Sequence, residues 1–180
     1  MLDTEKIIEE YYAKGSELYN ILMIHSRQVC NYALELLYKH LEYDMDRQFV
    51  AEAAMLHDIG IFLCNAPSIH CYGSHDYIEH GYLGADLLRT KGLARHALVC
   101  ERHTGVGITL EMIVKNDYPL PHRDMLPVTM EEKLICYADK FFSKTRINTQ
   151  YTVEKAREKV ARFGESEGVK FDELHALFSK

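Results

Sequence analysis

No run of uncharged apolar residues in this 180-residue chain approaches the roughly 20 needed to cross a bilayer, which excludes a transmembrane helix. The opening residues, Met-Leu-Asp-Thr-Glu-Lys, lack a basic-then-apolar signal, so a cytoplasmic location is expected. Basic residues are in the minority. With 21 Lys and Arg against 27 Asp and Glu, the net charge of −6 argues against a surface for a nucleic-acid polymer. An acidic chain that handles phosphate would need bound metal ions. The five cysteines, at 30, 64, 71, 100 and 136, are odd in number and never form Cys-x-x-Cys, so neither a disulfide framework nor a thiolate zinc knuckle is indicated. Cys30 and Cys136 lie among Val, Tyr, Leu and Ile, as buried thiols do. Strand-type alternation, Asn-Gly and Asp-Gly hairpin signals and internal repeats are all missing.

What the chain does have is helical periodicity and a 47% apolar composition, which predict one all-α domain over 1–180. Leu18, Ile21, Leu22, Val29, Tyr32, Ala33 and Leu36 form a stripe from Ser16 to about Leu41, and His25 falls within it, facing inward. A second helix runs from about Asp46 to His57, ended by Gly60, with Val50, Ala53 and Ala54 on the face of His57. Residues 61–75 hold Pro, Gly, Ser and Asn without period and read as a loop shaping a pocket rim. Helices are expected over 76–91, 93–103 and 109–115, with a proline-rich loop at 116–127. Thr129 and Glu132 have capping-box spacing and open a helix to about Lys144; 152–163 and 171–178 are terminal helices.

The chemistry centres on His57-Asp58, two adjacent ligands at a helix end. Asp139 lies on an apolar helix face. A buried carboxylate there costs several kcal/mol unless protonated, paired or metal-bound. His25, His57, Asp58 and Asp139 could supply one ion; His80 and His103, on helices of their own, could hold a second, with Asp58 bridging. Each histidine taken alone is more often a hydrogen-bonded core residue, and it is their grouping around His57-Asp58 that favours a metal site. His40, His70, His96, His122 and His175 lack such context and are expected at the surface or rim. His75-Asp76 reads as a capping element with a rim role.

In order, His25, His57-Asp58-Ile59-Gly60, His80-Gly81-Tyr82-Leu83-Gly84-Ala85-Asp86, Glu101-Arg102-His103 and Tyr137-Ala138-Asp139 resemble the HD-domain superfamily of metal-dependent phosphohydrolases, in its HDIG branch of small single-domain proteins. The resemblance covers about 16–150, leaving 151–180 as a helical extension. It implies a first ion on His25, His57, Asp58 and Asp139. The further histidines at 80 and 103 match those of two-ion members, the HD-GYP cyclic-dinucleotide phosphodiesterases and HD-type diadenosine tetraphosphate hydrolases, which often hold iron. This chain departs from both in lacking Gly-Tyr-Pro after His103 and in carrying Ile61 where they usually have Lys.

The expected function is hydrolysis of a small phosphate ester, a nucleotide or dinucleotide, by a metal-bound hydroxide that Asp58 orients. Nitrogen and carboxylate ligands favour Fe or Mn and admit Co, Ni and Zn. Arg27, Arg102, Lys140 and Lys144, beside the ligands in sequence, are candidate phosphate contacts. His70, Tyr72 and His75 from one loop and Tyr118, His122 and Arg123 from the other could cap a nucleotide. Homo-oligomerisation stays open. The rival readings are a diiron HD-type oxygenase and a non-catalytic metal- and nucleotide-binding regulator.

Overall fold

Polar side-chain caps start six of the described α-helices in the computed structural model, which describes residues 2–179. A first helix, α1 (Thr4–Glu9), is opened by Asp3 and had no counterpart among the expected elements, because six residues carry too little period to register. Ser16 accepts from the Tyr19 N–H and opens α2 (Glu17–Lys39); Asp46 accepts from Phe49 and opens α3 (Arg47–Leu56). There follow α4 (His80–Thr90), α5 (Ala94–Arg102), α6 (Leu110–Asn116), α7 (Met130–Asp139), α8 (Val153–Ala161) and α9 (Glu165–Phe178). Thr109, Thr129 and Thr152 cap α6, α7 and α8 with their side chains.

The architecture is all-α, with one exception that alternation could not reveal. Within 61–75, β1 (Asn65–Ala66) pairs antiparallel with β2 (Cys71–Tyr72) in the register Asn65 to Tyr72, and two residues per strand are too few to alternate. Two helix ends also differ from expectation. α7 stops at Asp139 rather than near Lys144: the N–H groups of Lys140, Phe141 and Phe142 bond back three residues to Tyr137, Ala138 and Asp139, tightening the last turn and releasing the chain. α9 starts at Glu165, directly after Gly164, not at 171.

Packing places α2 against α3 and α7, α4 against α5, and α9 against α7 and α8. Two apolar clusters result. One gathers Val29, Leu36, Val50, Ala54, Leu134 and Phe171; the other gathers Leu22, Met23, Leu56, Ile59, Leu88 and Cys100. Along α2, His25 falls between Met23 of one cluster and Val29 of the other, and along α3 His57 follows Ala54 and Leu56, so both histidines are buried at the seam.

Gly60 has a role other than ending α3. Its φ of −85° is ordinary for any residue, so no left-handed cap is needed. A Cβ there, however, would lie 2.2 Å from the His80 carbonyl oxygen and 2.5 Å from the Gly84 nitrogen. The glycine lets the chain after Asp58 pass against the backbone of α4, which brings His80 to the carboxylate.

His40 is a further departure: it is buried, not superficial, with its ring stacked on Tyr43 and edge-on to Phe178. Among the described residues no helix is long and apolar enough to cross a membrane.

Candidate metal centre

Six ligand-type side chains converge from five places in the chain. α2 brings His25, the end of α3 brings His57 and Asp58, the start of α4 brings His80, the residue after α5 is His103, and the last residue of α7 is Asp139. His25 Nε2 lies 3.0 Å from Asp139 Oδ1 and 3.1 Å from Asp58 Oδ2, while His57 Nε2 lies 3.1 and 3.5 Å from Asp58 Oδ2 and Asp139 Oδ1. The other oxygen of the same carboxylate, Asp58 Oδ1, faces His80 Nε2 at 3.3 Å and His103 Nε2 at 3.4 Å. Asp58 therefore divides its two oxygens between two ligand sets, His25-His57-Asp58-Asp139 and Asp58-His80-His103.

The local fold orients the imidazoles. His57, His80 and His103 each direct Nδ1 at the carbonyl three residues earlier, Ala54, Tyr77 and Cys100, at 2.7, 2.6 and 2.7 Å. Donation there puts the proton of a neutral ring on Nδ1 and leaves Nε2 as the free lone pair, the arrangement that ligating histidines share. His80 and His103 then turn their Nε2 atoms on each other at 3.1 Å. Two facing lone pairs repel unless a cation stands between them.

These residues fit divalent ions. Donors about 2.1 Å from one ion and at about right angles to each other lie about 3.0 Å apart, close to the separations within each set. His25 Nε2, His57 Nε2 and both Asp58 oxygens are buried with no hydrogen-bond partner, although charged neighbours stand within reach. Buried polar atoms left in that state are stabilised by a cation that all of them can reach. No cysteine belongs to either set, which leaves a nitrogen and oxygen donor set that could hold divalent metal ions.

Electrostatics bind the cluster together. Burial opposes the charges of Asp58 and Asp139, yet His57 and Lys144 beside the first, and Lys140 and His25 beside the second, hold both well below the usual carboxylate range. Burial likewise works against a proton on His57, but Asp58 and Asp139 outweigh it and raise the imidazole to about 9. For His103 burial prevails and the ring is pushed down to about 3, so it stays neutral.

The four candidate phosphate contacts divide evenly. Lys144 Nζ lies 2.6 Å from Asp58 Oδ2, and Lys140 Nζ donates to Asp139 Oδ2 at 2.7 Å and to the His103 carbonyl at 2.9 Å. Lys144 reaches inward because α7 ends at Asp139; on a continuing helix it would sit more than a turn farther along. The other two lie elsewhere. Arg27 pairs with Glu5 at the exposed surface, since it occupies the outer face of α2 two residues from His25. Arg102 makes a two-pronged contact with buried Glu132 at 2.9 and 3.1 Å, which fixes the α5–α7 packing.

A cavity of about 440 Å³ opens over His80, His103, Asp139, Lys140 and Lys144, walled by Val106, Ile108, Met112 and Tyr118. Of the two carboxylates, Asp58 is fully buried and Asp139 is 12% exposed, so Asp139 forms part of the floor. An adjoining cavity of about 340 Å³ takes in Ala66, Ser68 and Ile69 from the ribbon loop. Tyr118 is the one nucleotide-capping candidate at the rim of either. Tyr72 points to solvent, His70 pairs with Glu17, and Arg123 pairs with buried Glu101. Asp76 and Glu79 form a capping box ahead of α4, with the Asp76 N–H 2.8 Å from Glu79 Oε2, and His75 Nδ1 meets the same glutamate at 3.2 Å. Tyr77, which stacks on His80, and Phe142, which follows α7, are among the wall residues that went unnoticed in the sequence.

The HD domain family matches residues 22–143. An uncharacterized protein of Methanocaldococcus jannaschii is 34% identical over 142 residues, which is 77% of this chain and 76% of that protein. Two proteins named tRNA (cytidine(56)-2'-O)-methyltransferase are also similar, one from Picrophilus torridus at 38% over 63% of this chain and one from Thermoplasma volcanium at 30% over 87%. This chain spans 30% and 42% of their lengths, so most of each lies outside the similarity. No solved structure matches the chain.

Proposed function

The chain belongs to the HD-domain family, and from that premise we propose that it is a metal-dependent phosphohydrolase acting on a small phosphate ester, a nucleotide or dinucleotide, at a dinuclear centre. The observation that carries the reading is Asp58, whose two oxygens serve two separate ligand sets. His25, His57 and Asp139 would complete one set, and His80 with His103 the other. When bound, two divalent ions supply a water acidified toward neutral pH and positive charge for the phosphate oxygens.

The protein's own groups do the rest. Asp58, whose carboxylate burial keeps rigid, would hold both ions and so fix where the water they acidify stands. Lys140 and Lys144 stand at the cavity floor, where an ammonium meets incoming phosphate as a point charge. They also offset Asp58 and Asp139, so the floor attracts an anion although the chain is acidic overall. Backbone carbonyls of Ala54, Tyr77 and Cys100 keep three rings from turning. The apolar walls suit an organic group attached to the phosphate rather than phosphate alone. In the two methyltransferase-named relatives a stretch similar to this chain accompanies a longer remainder, company that fits a nucleotide-related substrate.

The test is a panel of phosphate esters assayed with Mn²⁺, Fe²⁺, Co²⁺ and Ni²⁺, with metal content measured on each sample. Turnover that needs metal and disappears in Asp58→Ala is expected. Strict dependence on oxygen, with polyol or phosphonate substrates consumed instead, would replace the hydrolase with a diiron oxygenase. Silence on every ester together with tight nucleotide binding would make the protein a regulator.

A further inference from the structure

The cavity above the metal centre is closed by residues beyond those that the family match covers. That match ends at 143, yet Ala156, Lys159, Val160 and Phe163, on and just after α8, line the 440 Å³ space. Lys159 also borders the 340 Å³ cavity, as do Tyr77, Asp139, Phe142 and Lys144, so it stands where the two spaces meet.

Two features set Lys159 and Phe163 apart from ordinary surface residues. Among the described residues Lys159 forms no ion pair; its ammonium instead lies 4.2 Å over the ring of Tyr151. Tyr151, which meets the ammonium with its ring and its hydroxyl, holds the cation in place without neutralising it and leaves N–H donors for an anion. The one carboxylate in this part of the wall, Glu167, is already engaged by Lys170 at 2.8 Å. Phe163 is 69% exposed, a large ring left open at a cavity mouth rather than folded into the core beneath it. A phosphate at the floor would leave most of the space unfilled, and that space offers apolar walls, an open ring and a cation without an ion-pair partner among the described residues.

We propose that Lys159 and Phe163 form a distal subsite that selects nucleotides carrying a second phosphate, Phe163 receiving the base and Lys159 the phosphate away from the reacting one. The proposal rests on the phosphohydrolase reading for the position of the first phosphate. It makes residues 151–163, which lie outside the ligand framework, the part of the chain that sets substrate choice.

Calorimetric titration of the Mn²⁺-loaded protein with inorganic phosphate, AMP and ADP tests it. Lys159→Gln should weaken ADP about tenfold and leave inorganic phosphate unchanged; Phe163→Ala should weaken AMP and ADP alike by roughly 5-fold to 100-fold, the range of one base-stacking contact. Both positions are at the surface, and an unchanged thermal transition will confirm folding. If phosphate binds but ADP ignores both substitutions, or if phosphate and ADP weaken equally, the subsite is refuted while the metal centre stands. If ADP binding depends on Lys159 but no ester is hydrolysed, the subsite stands and the phosphohydrolase reading fails. Failure of the loaded protein to bind either ligand would overturn both.

Discussion

Metal binding to this protein should displace a proton, and the structure says which one. Burial disfavours the His57 imidazolium, but Asp58 at 3.1 Å and Asp139 at 3.5 Å overcome that and hold its pKa at about 9. Its Nδ1 proton is committed to the Ala54 carbonyl, so the proton that titrates is on Nε2, the atom that faces the ligand cluster. An ion can take that position only as the proton leaves. At pH 7, about two units below the pKa of about 9, this competition should hold affinity about 100-fold beneath its plateau. The apparent association constant should rise about tenfold per pH unit from 6.5 toward 9 and then level off.

The same shift has a stability consequence of fixed sign. A histidine whose pKa is raised on folding, here from 6.5 to about 9, stabilises the metal-free fold fully below pH 6.5 and loses that contribution as pH rises through 9. The full difference is about 3 kcal/mol, or roughly 6–12 °C in melting temperature for a chain of this size. Chelated protein should therefore melt progressively lower across that window, and metal-loaded protein should not. Titrations of Mn²⁺ in buffers of different ionisation enthalpy count the released protons directly. A count near zero at pH 7, or an affinity flat from 6.5 to 9, would refute the assignment of a shared proton to His57.

Four other substitutions probe three separate links. His80→Ala and His103→Ala should each halve the bound metal while leaving the first ion, since His25, His57 and Asp139 are untouched; elemental analysis showing an unchanged count would defeat the two-ion arrangement. Gly60→Ala must move either the turn after Asp58 or α4 to relieve a 2.2 Å approach to the His80 carbonyl, at a cost of about 1–3 kcal/mol, and thermal unfolding should show it together with weakened second-ion binding. Lys144→Ala should raise KM for a phosphate ester about tenfold or more with metal content retained, because its ammonium faces the cavity floor next to Asp58; an unchanged KM would remove it from substrate binding.

The helices were legible where they were long or carried an explicit cap. Ser16, Asp46, Thr109 and Thr129, at the expected helix starts, each accept a backbone N–H, and the stripe on α2 turned inward as its period required. What escaped was short or depended on distant neighbours. α1 and the ribbon at 65–72 have too few residues for any period to show. His40 has a polar sequence context yet is buried, because Tyr43 and Phe178, the latter 138 positions away, enclose it.

For the site, adjacency in sequence was a good guide along a chain turn and a poor one around a helix. His57 and Asp58 work as neighbours because α3 has just ended, and Lys140 reaches Asp139 because α7 has. Arg27 and Arg102 failed for the opposite reason: inside or at the end of a helix, the next residue but one, or the one before, points away from the ligand's face, and each arginine met a carboxylate on its own side. Lys144 shows how the two rules combine. Ile61 fills with apolar packing the position near the His-Asp pair where a lysine would be expected, while an ammonium arrives at Asp58 from 86 positions away through the early end of α7. The positive charge beside the buried Asp58 carboxylate thus comes from a residue that a motif read position by position does not register.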